Sequence, residues 1–523
     1  MIGRLPCDEG VALAVPPSPP SAEAARPWIL AATIIGSSLA FIDGTVANVA
    51  LPALQRELGA TAVDVQWVVE AYSLMLSALL LVGGALGDRM GRRRVYAAGI
   101  ILFSAASAGC GLAADVSQLV IARAVQGAGA ALLVPGSLAI IGASFPERER
   151  GRAIGTWASF SAITTGLGPL LGGWLIEHVS WRAAFFVNLP LAGIVLALLF
   201  SRVPESRDRQ ATGRLDWAGA TLATAGLAGI VYGLLESSRL GWQDARVLGG
   251  LAGGGAALLA FGVVEARTGS PLVPPAFFAS RAFTGANLLT LFLYGALGIL
   301  FFLLPLNLIQ VHGYSATAAG AAALPFILVM SLLSRGSGAL TDRFGTRLPL
   351  IVGPLTASAG FALFALPGAT GPYWTTFFPA MVVLGLGMGI SVPPLTTTVM
   401  NVLGVRHAGI ASGINNAVSR AAGLLAIALV SLIVLHVFDV EMNRRLPASR
   451  LPPEVQAALA AERGKLGGVE PPPTASPSER AAIRQAVSDS FVAAFRWMAL
   501  VATCLGIASA ATAAAMIDGP ERG

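Results

Sequence analysis

Three ionisable side chains lie inside apolar stretches of the first part of the chain: Asp43, Glu70 and Arg123. An ionised group at bilayer depth costs about 2.5–3.5 kcal/mol, so such residues persist where they are paired or functional. An apolar environment favours the protonated form of a carboxyl group, and a nearby guanidinium opposes that effect. We therefore expect a cluster of two carboxylates and one guanidinium that can load and release a proton. The structural alternative is that these side chains only brace helices.

The elements that must position these residues are apolar runs of about 20 residues, the length of a helix that spans a bilayer. The chain is 55% hydrophobic and only 12% charged, whereas an average soluble domain is about 25% charged. This composition excludes a soluble enzyme, a disordered protein and a nucleic-acid binder. About fourteen such runs are predicted, at 28–52, 65–86, 95–114, 116–141, 153–177, 184–202, 215–236, 246–266, 282–306, 316–335, 348–368, 374–400, 408–436 and 491–516.

Residue types that build nucleotide, metal and disulfide sites are scarce. Lys465, the single lysine, lacks the glycine spacing and the following Ser or Thr of a phosphate-binding loop. The four histidines have no metal-ligand spacing, and three cysteines cannot form a disulfide framework. We expect no cofactor, no metal, no nucleotide or nucleic-acid partner, and no enzymatic activity.

Arginine clusters predict the topology, because they follow the even-numbered runs, and cytoplasmic loops carry the excess of positive charge. Both termini are therefore predicted to be cytoplasmic, in a multi-pass protein of the cytoplasmic or inner membrane. Residues 1–26 are rich in Pro, Ala and Ser and are predicted to be a disordered tail. Residues 437–490 are neutral overall and are predicted to be a solvated external loop with a short surface helix.

One loop sequence occurs twice. Residues 84–93 read GALGDRMGRR after the second run, and residues 338–347 read GALTDRFGTR after the tenth. The simplest account is duplication of a six-helix unit, with two helices inserted between the copies. We predict an all-α membrane protein with two six-helix bundles, 27–203 and 269–523, and a linker with two extra helices at 204–268.

Four further stretches resemble motifs of a known family: FIDGTVANVALP at 41–52, RAVQGAG at 123–129, GPLLGG at 168–173 and WRAAFFVNLP at 181–190. With the repeated loop, they make the chain similar to the major facilitator superfamily. Within it, the chain resembles the fourteen-helix drug:proton antiporters of the EmrB/QacA type. One departure is Thr164, where the fuller antiporter motif has glycine.

The resemblance implies roles for three groups of residues. Asp43 and Arg123 would couple proton movement to transport, whereas Glu70, inferred from burial alone, would be a second proton carrier or a contact for a cationic substrate. The antiporter motif, Gly168, Pro169, Gly172 and Gly173, would kink and pack its helix tightly and limit proton leak. The repeated loops would form a conformational latch, with Asp88 and Asp342 near helix N-termini; its residues are Gly84, Asp88, Arg89, Gly91, Arg92, Gly338, Asp342, Arg343 and Gly345.

A substrate cavity is expected between the halves, because apolar and aromatic walls with few polar groups suit an amphipathic, variable ligand. The ninth run carries aromatic and amide side chains, and the thirteenth carries an arginine near two asparagines. The predicted cavity residues are Asn48, Tyr294, Phe301, Asn307, Asn415 and Arg420.

The function expected from these features is proton-coupled efflux of amphipathic drugs or antibiotics by alternating access. The partners would be a small amphipathic molecule, protons and the lipid bilayer. One alternative is a dedicated exporter of a single endogenous metabolite, and proton-coupled uptake is another. A third is a membrane sensor that transports nothing, which would predict no solute flux.

Overall fold

The structure is a computed structural model, and it describes residues 20–207, 216–269, 271–333, 345–403, 408–446 and 451–517. The regular secondary structure in these ranges is helical. The first six long helices are α1 Pro20–Leu58, α2 Ala62–Met90, α3 Arg92–Leu112, α4 Val116–Ser144, α5 Glu147–His178 and α6 Ala183–Arg202. They form the N-terminal half.

The remaining helices complete the chain. They are α7 Trp217–Leu240, α8 Ala245–Arg267, α9 Arg281–Val311, α10 Ala316–Leu333, α11 Arg347–Leu363, α12 Phe378–Asn401, α13 Ala408–Arg445, α14 Pro453–Glu462 and α15 Pro477–Met516. Over the described residues, each of the fourteen predicted runs overlaps one long helix, α1–α13 or α15. Within the ranges that the structure describes, 12 helices are long and apolar enough to span a membrane, and α11 is a shorter apolar helix. The Ser-, Thr- and Gly-rich α5 is not among the 12.

Helix boundaries follow local chemistry. Thr61 begins α2 with a capping box, in which its hydroxyl accepts from the Asp64 N–H and the Asp64 carboxylate accepts from the Thr61 N–H. Asp115 caps α4 in the same manner by accepting from the Gln118 N–H. Polar caps at these ends satisfy N–H groups that a helix cannot satisfy internally.

The inserted hairpin of α7 and α8 lies at the side of the molecule. Gly229 of α7 meets Gly250 and Gly254 of α8 with no room for a side chain, so the two backbones pack closely. Apolar residues of α7 pack against α2 of one half and α13 of the other. Only 11% of the most apolar 18-residue stretch of α8 is buried inside the protein. The hairpin therefore lies on the seam between the halves, with α8 outermost.

The region expected to be a solvated loop, 437–490, is largely helical and folded. α13 continues to Arg445, α14 spans Pro453–Glu462, and α15 begins at Pro477. Between them, residues 463–469 form a segment that we call the external strap, and we call its end of the molecule the outer side. Both names follow the topology predicted from the arginine clusters. The predicted short helix is confirmed as α14. The expectation of a solvated loop was wrong for a physical reason: Val455, Leu459 and Leu466 bury apolar side chains in the same core as the ends of α1 and α9.

The external strap closes over the junction of the two halves. The Gln310 amide at the end of α9 donates to the Gln55 carbonyl of α1 at 2.6 Å. Gln55 in turn donates to the Lys465 carbonyl of the strap at 3.4 Å. Leu466 has a positive φ of 55° and is only 4% exposed. The outer ends of the halves are therefore joined, side chain to side chain, beneath the strap.

Candidate functional site

Asp43 and Arg123 form an ion pair inside the N-terminal half. Asp43 lies on α1 and Arg123 on α4, and both are about 1% exposed. An Arg123 Nη1–H donates to Asp43 Oδ2 at 2.5 Å. Two opposite charges removed from water in this way stabilise the fold only when the rest of their hydrogen bonds are also made.

Two amide side chains complete the shell of the carboxylate. Gln126 Nε2 donates to Asp43 Oδ1 at 2.8 Å, and Asn188 Nδ2 donates to the same oxygen at 3.2 Å. Both amides also donate to Ser107 Oγ, at 3.2 and 3.0 Å. Asp43 thus accepts from three donors on α4 and α6, an arrangement that suits an ionised carboxylate, which is purely an acceptor.

Arg123 is held as firmly as its partner. Its Nε–H donates to the Val68 carbonyl of α2 at 3.1 Å, and its Nη1 also donates to Gln126 Oε1 at 2.8 Å. The guanidinium carbon lies 4.3 Å from the centre of the Tyr72 ring, within the range of a cation–π contact. The network therefore ties α1, α2, α3, α4 and α6 to one buried charge pair.

Sequence reasoning identified the charge pair but not its shell. Gln126 and Asn188 stood out only as members of the motifs at 123–129 and 181–190. Gln126 is nevertheless one helical turn from Arg123 and so shares its helix face. Ser107 and Tyr72 carried no signal, because an isolated serine or tyrosine in an apolar run does not reveal its neighbours.

Glu70 does not join the cluster that the sequence suggested. Its side chain is fully buried on α2, and neither carboxyl oxygen has a hydrogen-bond partner among the described residues. Two residues further along, Tyr72 contacts Arg123, so the rotation of the helix points Glu70 elsewhere. The observed cluster therefore has one carboxylate, not two.

The first repeated loop makes a different contact from the expected one. Asp88 pairs with Arg92 of the next helix at 2.8 Å, whereas the carboxylate at the N-terminus of α3 is that of Glu205, which accepts from the Arg93 N–H at 3.1 Å. Gly91 has a φ of 109°, and a Cβ there would lie 2.7 Å from the Glu205 carboxyl. The anion at this helix end thus comes from the segment after α6.

Other latch residues are less engaged or lie outside the described ranges. Arg89 makes no hydrogen bond or ion pair with the described residues, and Gly84 lies in ordinary contact with Pro135. Gly345 has a φ of 71°, which matches the need for glycine at Gly91 in the first copy. The residues outside the described ranges are Gly338, Asp342 and Arg343.

The antiporter motif packs α5 against two helices at once. A Cβ on Gly168 would lie 2.1 Å from the Thr45 hydroxyl of α1, and one on Gly172 would lie 2.6 Å from Val46. Gly173 faces the other half, where its Cβ would lie 2.3 Å from the Ala316 carbonyl. Pro169 also touches that half through its carbonyl oxygen, beside Gly320 of α10. These glycines fit α5 between the helix that carries Asp43 and the C-terminal half.

The predicted cavity residues have different surroundings. Asn415 donates to Asn287 and Thr290 of α9, at 3.2 and 2.7 Å, and Phe301 packs against Phe326 at 5.2 Å between ring centres. Half-buried residues include Tyr294 and Arg420. The side-chain amide oxygens of Asn48 and Asn307 have no hydrogen-bond partner among the described residues.

Within the described ranges, no group of three or more His, Cys, Asp or Glu side chains is placed to hold a metal ion.

Comparison with known proteins places the chain in a family. The model of the Major Facilitator Superfamily matches residues 33–427. The tetracenomycin C resistance and export protein of Streptomyces glaucescens is 32% identical, over 95% of this chain and 93% of that protein. The multidrug resistance protein Stp of Mycobacterium tuberculosis is 31% identical over 91% and 89%, and the puromycin resistance protein of Streptomyces alboniger is 37% identical over 78% and 82%.

Solved structures agree on the fold. A bacterial homologue of the human lysosomal transporter Spinster, in an inward-facing and unoccupied conformation, superposes with a TM-score of 0.64 at 18% identity. The match covers 96% of this chain and 100% of that one. The helical architecture, the family model and the relatives lead to one assignment: the chain is a multi-pass membrane protein that belongs to the Major Facilitator Superfamily.

Proposed function

We propose that this protein exports amphipathic drugs or antibiotics in exchange for protons, by alternating access. Asp43, the buried carboxylate inside a five-helix hydrogen-bond network, is the single observation that carries the proton coupling. The export function is supported by relatives that are named as antibiotic export and resistance proteins. A small molecule is the cargo, and no nucleotide or enzymatic step is required.

The coupling step follows from the hydrogen bonds of Asp43. The carboxylate accepts from Arg123, Gln126 and Asn188. A proton on Asp43 makes one carboxyl oxygen a donor and a weaker acceptor, so the hydrogen bonds that this oxygen accepts are weakened and its new O–H needs an acceptor. Asn188 can adapt, because its Oδ1 has no partner among the described residues; turning the amide over would present an acceptor to the new O–H.

Protonation would therefore loosen contacts between helices rather than at one residue. Arg123 would lose its counter-charge while remaining bonded to Val68 of α2. Because Gly168 and Gly172 fit α5 against the segment of α1 that follows Asp43, a shift of α1 would also disturb the α5 seam with the other half. Through this contact between α5 and the other half, protonation of Asp43 could change the balance between outward- and inward-facing states.

Glu70 would be a second proton carrier in this scheme. A fully buried carboxyl group with no partner among the described residues is costly in its charged form. We assign it a neutral, proton-holding role in this state, subordinate to Asp43.

The proposed topology keeps both termini in the cytoplasm, in the cytoplasmic or inner membrane, with bundles at 27–203 and 269–523 and the linker with extra helices at 204–268. The two repeated loops, which follow the second and tenth runs, would then face the cytoplasm, and the external strap would face outward. Labelling of single cysteines in the strap and in the 84–93 loop from each side of the membrane would test this.

The test of coupling uses everted membrane vesicles energised by respiration, with a pH-sensitive dye and a panel of amphipathic compounds. Wild type should release protons when a substrate is added, whereas Asp43→Asn should not, because the amide cannot carry the proton. Asp115→Asn is the matched control, since asparagine also caps a helix. Equal responses from wild type and Asp43→Asn would contradict Asp43 as the carrier.

The same assay separates the alternative functions. Response to several unrelated compounds supports multidrug export, and response to one supports a dedicated exporter. Absence of solute flux with any compound, in vesicles where the protein is folded, would favour the sensor interpretation.

A further inference from the structure

Arg420 is a charged residue at mid-depth of the seam between the two halves. Gly413, two helical turns earlier on the same face of α13, packs against Leu81 of α2. Leu424, one turn later, belongs to a cluster with Leu74 of α2. Arg420 therefore lies between two contacts with the N-terminal half, on the face of α13 that looks across the seam.

The guanidinium of Arg420 has no counter-ion among the residues that the structure describes. It is half-buried and makes no hydrogen bond or ion pair with any of them. The hydroxyls of Tyr72 on α2 and Tyr294 on α9 lie within the electrostatic range of its charge. An unpaired arginine at bilayer depth is costly, and such residues mark functional sites.

The acidic groups nearby are not free to neutralise it. Asp43 is already engaged by Arg123, Gln126 and Asn188. Glu70 is fully buried and has no bond to Arg420. Across the described part of the seam, the charge left for a ligand is therefore positive. Electrostatic complementarity then disfavours a cationic substrate.

The proposed proton exchange also limits the charge that the substrate can carry. An anion would bind more tightly once Asp43 is protonated, because Arg123 then lacks its counter-charge. Proton and anion would load together, which is the linkage of a symporter and not of an exchanger. An uncharged molecule with a strong acceptor oxygen can use Arg420 without this conflict, since a hydrogen bond to a charged donor is among the stronger ones.

We infer that Arg420 is a specificity-determining residue that selects uncharged aromatic substrates with a carbonyl, phenol or similar acceptor oxygen over lipophilic cations. This inference rests on the proposed function for the choice of neutral over anionic substrates, and on the geometry of Arg420 for the exclusion of cations. Tyr72 and Tyr294 would supply the aromatic walls of the site.

The test compares two probes of nearly the same shape, triphenylphosphine oxide and methyltriphenylphosphonium. The first is uncharged and carries an acceptor oxygen on phosphorus. The second carries a methyl group in its place and is a cation. Binding to purified full-length protein, measured by tryptophan fluorescence, requires no proton gradient. Wild type should prefer the oxide. Arg420→Gln should weaken binding of the oxide about tenfold or more and strengthen binding of the phosphonium.

Two further variants keep the test falsifiable. Arg420→Lys, which keeps the charge, should retain rejection of the phosphonium, and Arg267→Gln, which removes an exposed arginine of the peripheral α8, should behave as wild type. Preference of wild type for the phosphonium, no binding of the oxide, or no change in Arg420→Gln would overturn the inference. Asp43→Asn tests coupling separately: proton exchange that persists in this variant, with the oxide preference intact, would refute Asp43 and not Arg420.

Discussion

At the scale of single residues, the Asp43–Arg123 pair is stabilised by its partners more than by its charges alone. Both charged side chains are buried. Their hydrogen bonds are therefore made to protein groups and not to bulk water. Removing one member of such a pair leaves an uncompensated charge, which is much worse than removing both.

This asymmetry predicts a double-mutant result. Arg123→Gln should destabilise the protein by about 3–5 kcal/mol, because Asp43 is left buried without its counter-charge. Asp43→Asn combined with Arg123→Gln should cost less than the sum of the two single changes. The measurement is the midpoint of thermal unfolding in detergent for all four proteins. Simple additivity would show that the two charges are not coupled.

At the scale of elements, α5 decides how closely the halves approach on the outer side. Gly168 and Gly172 face α1, and Gly173 faces the backbone of α10 near Ala316. Glu177, one turn further, accepts from the Thr317 hydroxyl at 2.5 Å. The seam is thus built from close backbone contacts with a polar bond at its outer end.

Gly173→Ala is predicted to weaken the state with a closed outer side. Its new methyl group would meet backbone atoms of Ala316 and Thr317, which can yield only if α5 and α10 separate, at a cost of about 1–3 kcal/mol. A cysteine at Asn48, in a background without native cysteines, should then react several-fold or more faster with an external thiol reagent. Gly193→Ala, where nothing lies within 4 Å, is the control; equal rates in both variants would count against this role of the seam.

At the scale of the whole molecule, the outer side is closed by bonds that join the two halves. Gln55 and Gln310 bond each other, and Gln55 also bonds the external strap. On the side of the molecule, no hydrogen bond joins the described residues of α7 to α13, but Trp67 of α2 donates to Glu236 of α7 at 2.9 Å. The hairpin is therefore held by polar bonds to the N-terminal half and by apolar contact to the C-terminal half.

Cross-linking the outer closure should stop transport. Gln55→Cys with Gln310→Cys, joined by a short reducible bis-thiosulfonate reagent, should trap the closed outer side and abolish substrate efflux. Reduction should restore efflux, because the cross-link and not the two substitutions would have caused the loss of efflux. Each single cysteine variant serves as the control. Efflux at the wild-type rate by the cross-linked protein would mean that these outer ends need not separate.

The membrane character, the helices and the family could be predicted from the order of amino acids, because these depend on local properties. Apolar run length predicts a span without knowledge of its neighbours, and the loop repeat requires only comparison of two segments. Glycine recurs at Gly91 and Gly345 in the two copies of the loop, and the structure gives each a positive φ, a local backbone requirement that glycine meets. Asp43 and Arg123 stood out because ionisable groups in apolar runs are costly wherever they point.

Which of these groups meet could not be predicted, because it depends on how the helices pack in three dimensions. The rotation of α2 turns Tyr72 towards Arg123 and leaves Glu70 without a partner among the described residues. Glu205 reaches the N-terminus of α3 because the end of α6 returns beside it. The strap folds down because Leu466 finds an apolar site on helices far away in the chain. Contacts of this kind depend on helix rotation and packing between distant segments, which the order of residues along a single run does not reveal.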